Sequence, residues 1–276
     1  MTALIELLGE LFSYAFIVRA MVVGILVALC AALLGVTLVL KRYSMIGDGL
    51  SHVGFGTLAV AVSLRLAPLE FSVPVVMLAA FLLLRISENS KIRGDAAIAL
   101  ISSSSLAIGV MVISMTTGMN TDVCNYMFGS ILAMSKSDVT LSIVVAVFVL
   151  VLYILFYNRI FVVTFDADFA GATGMKPGRY NMLIALLTAM VIVVGMRMMG
   201  AMLISSLIIF PALTSMRVFS SFRSVVICSA ILSVVCFFIG MVLSFCLSTP
   251  AGASIVIVNL AAFCLFLTAE KLGVRV

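Results

Sequence analysis

The sequence predicts an all-α fold: a polytopic membrane bundle of eight to nine transmembrane helices, N-terminus outside and C-terminus cytoplasmic. Three observations predict it. Composition is the first. Of the 276 residues, 64% are apolar and 10% are charged, with a mean hydropathy of +1.37. Soluble domains carry roughly 25% charged residues and under half apolar ones, so no soluble core of this size hides so much apolar surface. Spacing is the second: apolar runs near the about 20 residues that a helix needs to cross hydrocarbon recur along the whole chain. The third is the placement of positive charge, which follows alternate gaps.

The elements follow in order. Spans are predicted near 13–40, 46–64, 71–86, 95–117, 138–157, 179–197, 200–216, 224–247 and 251–269. With the N-terminus outside, the inside gaps and span ends hold Lys41 and Arg42, then Arg85, Lys91 and Arg93, then Arg159, Lys176 and Arg179. Arg217, Arg223, Lys271 and Arg275 complete that side, which makes twelve of the 16 Lys and Arg residues. Only Arg19, Arg65, Lys136 and Arg197 fall on the other side. That asymmetry favours nine spans. An eight-span alternative leaves 200–216 broken or re-entrant, because Pro211 removes a helix hydrogen bond there. Tyr43, Tyr126, Tyr157 and Tyr180 fall at span ends, as interfacial anchors do. Residues 118–137 are expected as an extracytoplasmic interfacial segment and 158–178 as a cytoplasmic connection within one transmembrane domain, 1–276. No cleavable leader is expected, since Glu6 and Glu10 precede the first apolar run without a basic stretch.

Several function classes are excluded. There is no G-x-x-x-x-G-K-[ST], so the chain has no P-loop for nucleotide. The net charge of +5 is distributed over short gaps and builds no basic face for nucleic acid. The six cysteines are scattered without CxxC spacing and read as small buried hydrophobes.

Of the 11 acidic residues, Asp48 alone falls within a segment that must cross. An aspartate at a span centre costs about 2.5–3.5 kcal/mol. The single histidine, His52, follows four residues later in "SMIGDGLSHVGFG", so both side chains share one helix face, which continues through Gly56, Ala59 and Val60. Two readings are open. Asp48 caps the helix and His52 is a satisfied core histidine, or carboxylate and imidazole bind a divalent transition metal. Two ligands fall short of the four that zinc usually takes. A two-fold pairing of chains would supply two Asp and two His.

"FDADFAGATGMKPG" encodes a short helix between two spans. Asp166 can cap Ala167–Thr173, Asp168 is favourable in its first turn, Gly174 stops it and Pro177 follows. An ordinary capped connection and a docking peg for a soluble partner are both compatible with it.

Together "KRYSMIGDGLSHVGFGTLAVA", "TFDADFAGATGMKPG" and "GMRMMGAMLISSLIIFPALTSMRV" resemble the permease subunit of ABC importers for divalent metals, of the ABC-3 type. "NYMFGSIL" and "TPAGASIVIV" extend the likeness over nearly the whole chain. The resemblance implies a multi-pass subunit of the bacterial plasma membrane that is not itself an enzyme. It pairs with a second copy of itself, two cytoplasmic ATPase subunits and an extracytoplasmic metal-binding protein, in contact with membrane lipid and without nucleic acid. It implies that Asp48 and His52 coordinate the transported ion. It assigns Asp166, Asp168, Phe169, Ala170 and Gly174 to coupling with the ATPase. No cofactor is held permanently; Zn2+, favoured, or Mn2+ or iron is the substrate. The rival expectation is a secondary cation transporter or channel without an ATPase or docking helix, using Asp48 for proton or cation coupling.

Overall fold

A computed structural model describes residues 15–89, 94–116 and 136–273. The described residues form ten helices: α1 (Ala15–Leu40), α2 (Met45–Ser63), α3 (Pro68–Asn89), α4 (Gly94–Met115), α5 (Lys136–Phe165), α6 (Ala167–Ala172), α7 (Pro177–Met199), α8 (Ala201–Val218), α9 (Phe222–Leu247) and α10 (Ala251–Lys271). All but the six-residue α6 are long and apolar enough to cross a membrane, nine in total among the described residues. The expected interfacial segment 118–137 lies outside the described residues up to 135.

Helix α2 sits at the centre, packed by α4, α3, α7 and α8. Its glycines explain why. A Cβ built on Gly56 would lie 2.6 Å from the Ser105 carbonyl oxygen of α4, and one on Gly49 would lie 2.6 Å from Ile98 Cγ2. One on Gly54 would lie 2.8 Å from Met196 Cε of α7, and one on Gly47 would meet Ile208 Cδ1 of α8 at 3.1 Å. Glycine therefore lets three neighbours close on α2 at once. Such approach drives helix association in lipid, where apolar surface alone gives no preference. On the far side, α8 packs on α1 and α10. Helices α4, α5 and α10 turn most of their surface outward.

Three expectations are refined. The span 200–216 is a continuous helix despite Pro211, so the nine-span count holds. Ser215 donates to the Pro211 carbonyl at 2.7 Å, and buried neighbours hold the helix where one bond is missing. Helix α5 runs to Phe165, beyond the predicted end at 157. Its 30 residues span about 45 Å at 1.5 Å each, longer than the roughly 30 Å of hydrocarbon. It is therefore too long to lie wholly in the apolar layer, and Asn158 and Arg159 near its end cost little if that end is the one outside the layer. The cysteines divide: Cys30 and Cys236 are buried, Cys228 is half-buried, and Cys246 and Cys264 are exposed. In lipid an outward thiol is a tolerated small hydrophobe.

An ion pair staples α5 to α7. Arg197 Nη1 lies 3.0 Å from Asp138 Oδ1, with both side chains largely covered. Just beyond, Gly200 (φ 86°, ψ 159°) separates α7 from α8 by a single residue, a backbone region that is essentially glycine-only.

Candidate metal centre

Asp48 stands in the first turn of α2 and His52 one turn on. The helix begins after Ser44, which makes no side-chain cap bond, and the Asp48 side chain is not recruited as its cap either. Its nearest charged neighbour is His52: Nε2 lies 3.6 Å from Asp48 Oδ2. That is beyond hydrogen-bonding distance. Two ligand atoms each about 2.1 Å from one tetrahedral ion stand roughly 3.4 Å apart. The pair is thus spaced as two ligands of one ion are.

Exposure distinguishes these two side chains from those that flank them in the first turns of α2, beyond the exposed Met45 at its start. The side chains of Asp48 and His52 are 47% and 28% exposed, whereas their neighbours Gly47, Gly49, Leu50, Ser51 and Val53 are buried. A carboxylate in a crossing helix is not turned half-open to lipid; it faces a cavity, water or another chain. The face then changes character. Gly56 and Ala59 are covered, chiefly because α4 lies against Gly56. Beside them a cleft of about 230 Å³ opens, lined by Gly56, Val60, Phe71, Val75 and Ser105 among others.

A second layer comes from α8. Ser205 Oγ lies 3.2 Å from Ser51 Oγ, while Ser51 donates to the Gly47 carbonyl at 2.8 Å and Ser205 to the Ala201 carbonyl at 3.1 Å. Sequence reasoning missed Ser51 and Ser205. Only the polar pair Ser205–Ser206 inside "AMLISSLIIF" signalled them. Among the described residues, no three His, Cys, Asp or Glu side chains gather where they would hold an ion. One chain therefore offers two such donors and an open side.

The other predicted residues lie in and around α6. The Asp166 carboxylate accepts the Phe169 N–H at 2.8 Å, which is an N-cap. Thr173 donates to the carbonyls of Phe169 (3.1 Å) and Ala170 (2.9 Å). Gly174 takes φ 84°, and the following N–H, of Met175, returns to the Ala170 carbonyl at 3.0 Å. Asp168 and Phe169 are exposed, whereas Ala170 is fully buried. Ala170 seats α6 against α5 and α7; the other two present its outer face.

Comparison with known proteins adds an independent finding. The ABC 3 transport family matches residues 13–270. The manganese import system permease protein ScaB of Streptococcus gordonii is 29% identical over 94% of this chain and 92% of its own. The high-affinity zinc uptake system membrane protein ZnuB of Haemophilus influenzae is also 29% identical, over 90% of this chain and 95% of its own. Among solved structures, PsaBC from Streptococcus pneumoniae, in complex with Fab, superposes with a TM-score of 0.86 at 28% identity, covering 99% of this chain and 100% of that one.

Proposed function

Because the chain belongs to the ABC 3 transport family, we propose that it is the permease subunit of an ATP-driven importer that carries a divalent transition-metal ion into the cytoplasm. It is a multi-pass protein of the plasma membrane, and its relatives of equal identity are named for manganese and for zinc. The observation that carries the reading is the half-open Asp48–His52 pair: two donors at ligand spacing in a crossing helix that serves no cap.

Asp48 and His52 bind the ion in transit, and a second copy of the chain supplies the matching pair across a two-fold axis. Two carboxylates and two imidazoles suit zinc, and they suit manganese or iron too, so selection falls to geometry and to the delivering protein. Ser205 and Ser51 hold α8 against the pair, so a movement of α8 is felt at the ligands. The charge asymmetry puts α6 in the cytoplasm and residues 118–137 outside. The outer face of α6, Asp168 and Phe169, docks on an ATPase subunit that performs the hydrolysis. A metal-binding protein delivers the ion at the other side. The permease itself makes and breaks no covalent bond, and binding is weak enough for release.

The test is uptake of radioactive zinc and manganese by cells carrying the full transporter. Asp48→Asn and His52→Ala should each lower uptake at least about tenfold, at unchanged membrane abundance and ATPase association. Uptake that survives the double substitution would sink the site. Competition among zinc, manganese and iron then ranks the cargo.

A further inference from the structure

A cleft lies at the α6 end of the bundle, between α5 and the start of α7. Its volume is about 460 Å³, and it is lined by Arg159 of α5, by Lys176 and Arg179 at the start of α7, and by no acidic residue. All three cations are exposed. Arg159 Nη1 donates to the Tyr180 hydroxyl at 2.7 Å, which holds that guanidinium at the rim. Deeper in, the wall is apolar: Phe156, Leu183 and Met175, with Phe156 packed edge-on against Tyr180 at 6.1 Å between ring centres. Next to Phe156 on α5, Ile154 and Leu155 are 70% and 71% exposed, an apolar surface suited to lipid.

We infer that this cleft binds the headgroup of an anionic phospholipid, its phosphate held by Arg159, Lys176 and Arg179 and its first acyl carbons laid on Phe156 and Leu183. The placement follows from length. The first apolar run of the overlong α5 ends at Tyr157, so Arg159 stands at its polar edge and Phe156 one turn inside it. A cation rim above an apolar wall that runs on into a lipid-facing surface fits an amphiphile. A free phosphate has no use for the wall. An acidic partner side chain would not need continuity with Ile154 and Leu155. The same loop carries α6, so an occupied cleft braces α5 and α7 on either side of the proposed docking helix. That consequence rests on the function proposed above; the binding itself does not.

The test uses the full transporter, stripped of lipid in detergent. The chain contains no tryptophan, so Phe156→Trp gives a reporter in the permease. Phosphatidylglycerol with brominated acyl chains should quench it, brominated phosphatidylcholine at least about tenfold less well. Arg159→Gln, Lys176→Gln and Arg179→Gln together should abolish the preference, while size-exclusion behaviour and Tm stay unchanged. Equal quenching by the two lipids overturns the inference, and so does a preference that survives the triple substitution. Displacement of the lipid by millimolar inorganic phosphate would identify a free-anion site and overturn it too. Loss of the ATPase subunit from the triple variant with lipid preference intact would assign the cleft to the partner instead. Uptake by Asp48→Asn is independent of all these outcomes, so failure of the metal site and failure of the lipid site are told apart.

Discussion

Gly35→Ala probes a close backbone contact between α1 and α8. A Cβ built on Gly35 would lie 1.9 Å from the Ile208 carbonyl oxygen and 2.8 Å from its carbon. Real Cβ atoms essentially never approach below 3.0 Å, so α1 and α8 must part by about 1 Å. The obstacle is backbone, which cannot rotate away as a side chain would. A gap of that size forfeits roughly a quarter to a half of the dispersion energy across the seam. Overpacking of this kind typically costs about 1–3 kcal/mol. At about 2–4 °C per kcal/mol for a chain of this size, a cost near 2 kcal/mol lowers Tm by roughly 4–8 °C. The assay is the thermal loss of the monodisperse peak in detergent, with Gly171→Ala as control. Nothing lies within 4 Å of a Cβ on Gly171, and alanine is better than glycine in a helix by about 0.5–1 kcal/mol. The control should therefore hold or gain stability. Ile208 also touches Gly47, the residue before Asp48, so metal uptake should fall with Gly35→Ala as well. A Tm within 1 °C of the parent would refute the close α1–α8 seam from which the loss is reckoned.

Two further outcomes follow from local geometry. Gly200→Ala forces a side chain into the φ 86°, ψ 159° region, at a cost of about 1–3 kcal/mol; thermal denaturation should show it as a drop of several degrees. Asp166→Ala removes the cap of α6, about 1 kcal/mol of local helix stability. Co-purification of the ATPase and metal uptake should both decline, while the Tm of the permease holds.

Much of the fold was legible because its determinants are local. A span announces itself by length and hydropathy, and nine were read with ends mostly within about three residues. The α6 cap was legible from Asp166, Gly174 and Pro177, since capping is set by neighbours in sequence. The end of α5 was not legible. Asn158 and Arg159 look like a gap in hydropathy, yet a helix that has already left the hydrocarbon continues through them. Pro211 likewise looked like a break, and packing against α1 and α10 carried the helix across it.

The sequence by itself determined where the apolar spans lie and the i, i+4 relation of Asp48 to His52, because helix periodicity and hydrophobic length need no partner; it left eight or nine spans open at Pro211. It left two readings of that pair open. Only the tertiary structure decided that Asp48 does not cap α2, that the pair stands half-open among buried neighbours, and that Ser205 of α8 meets Ser51 of α2. Only the tertiary structure joined Arg159 to Lys176 and Arg179 around one cleft. The reason is the solvent. In a bilayer, apolar pattern does not say which helix faces which; close steric fit at glycines such as Gly49 and Gly56 does. That fit is a property of two helices together, written in neither one alone.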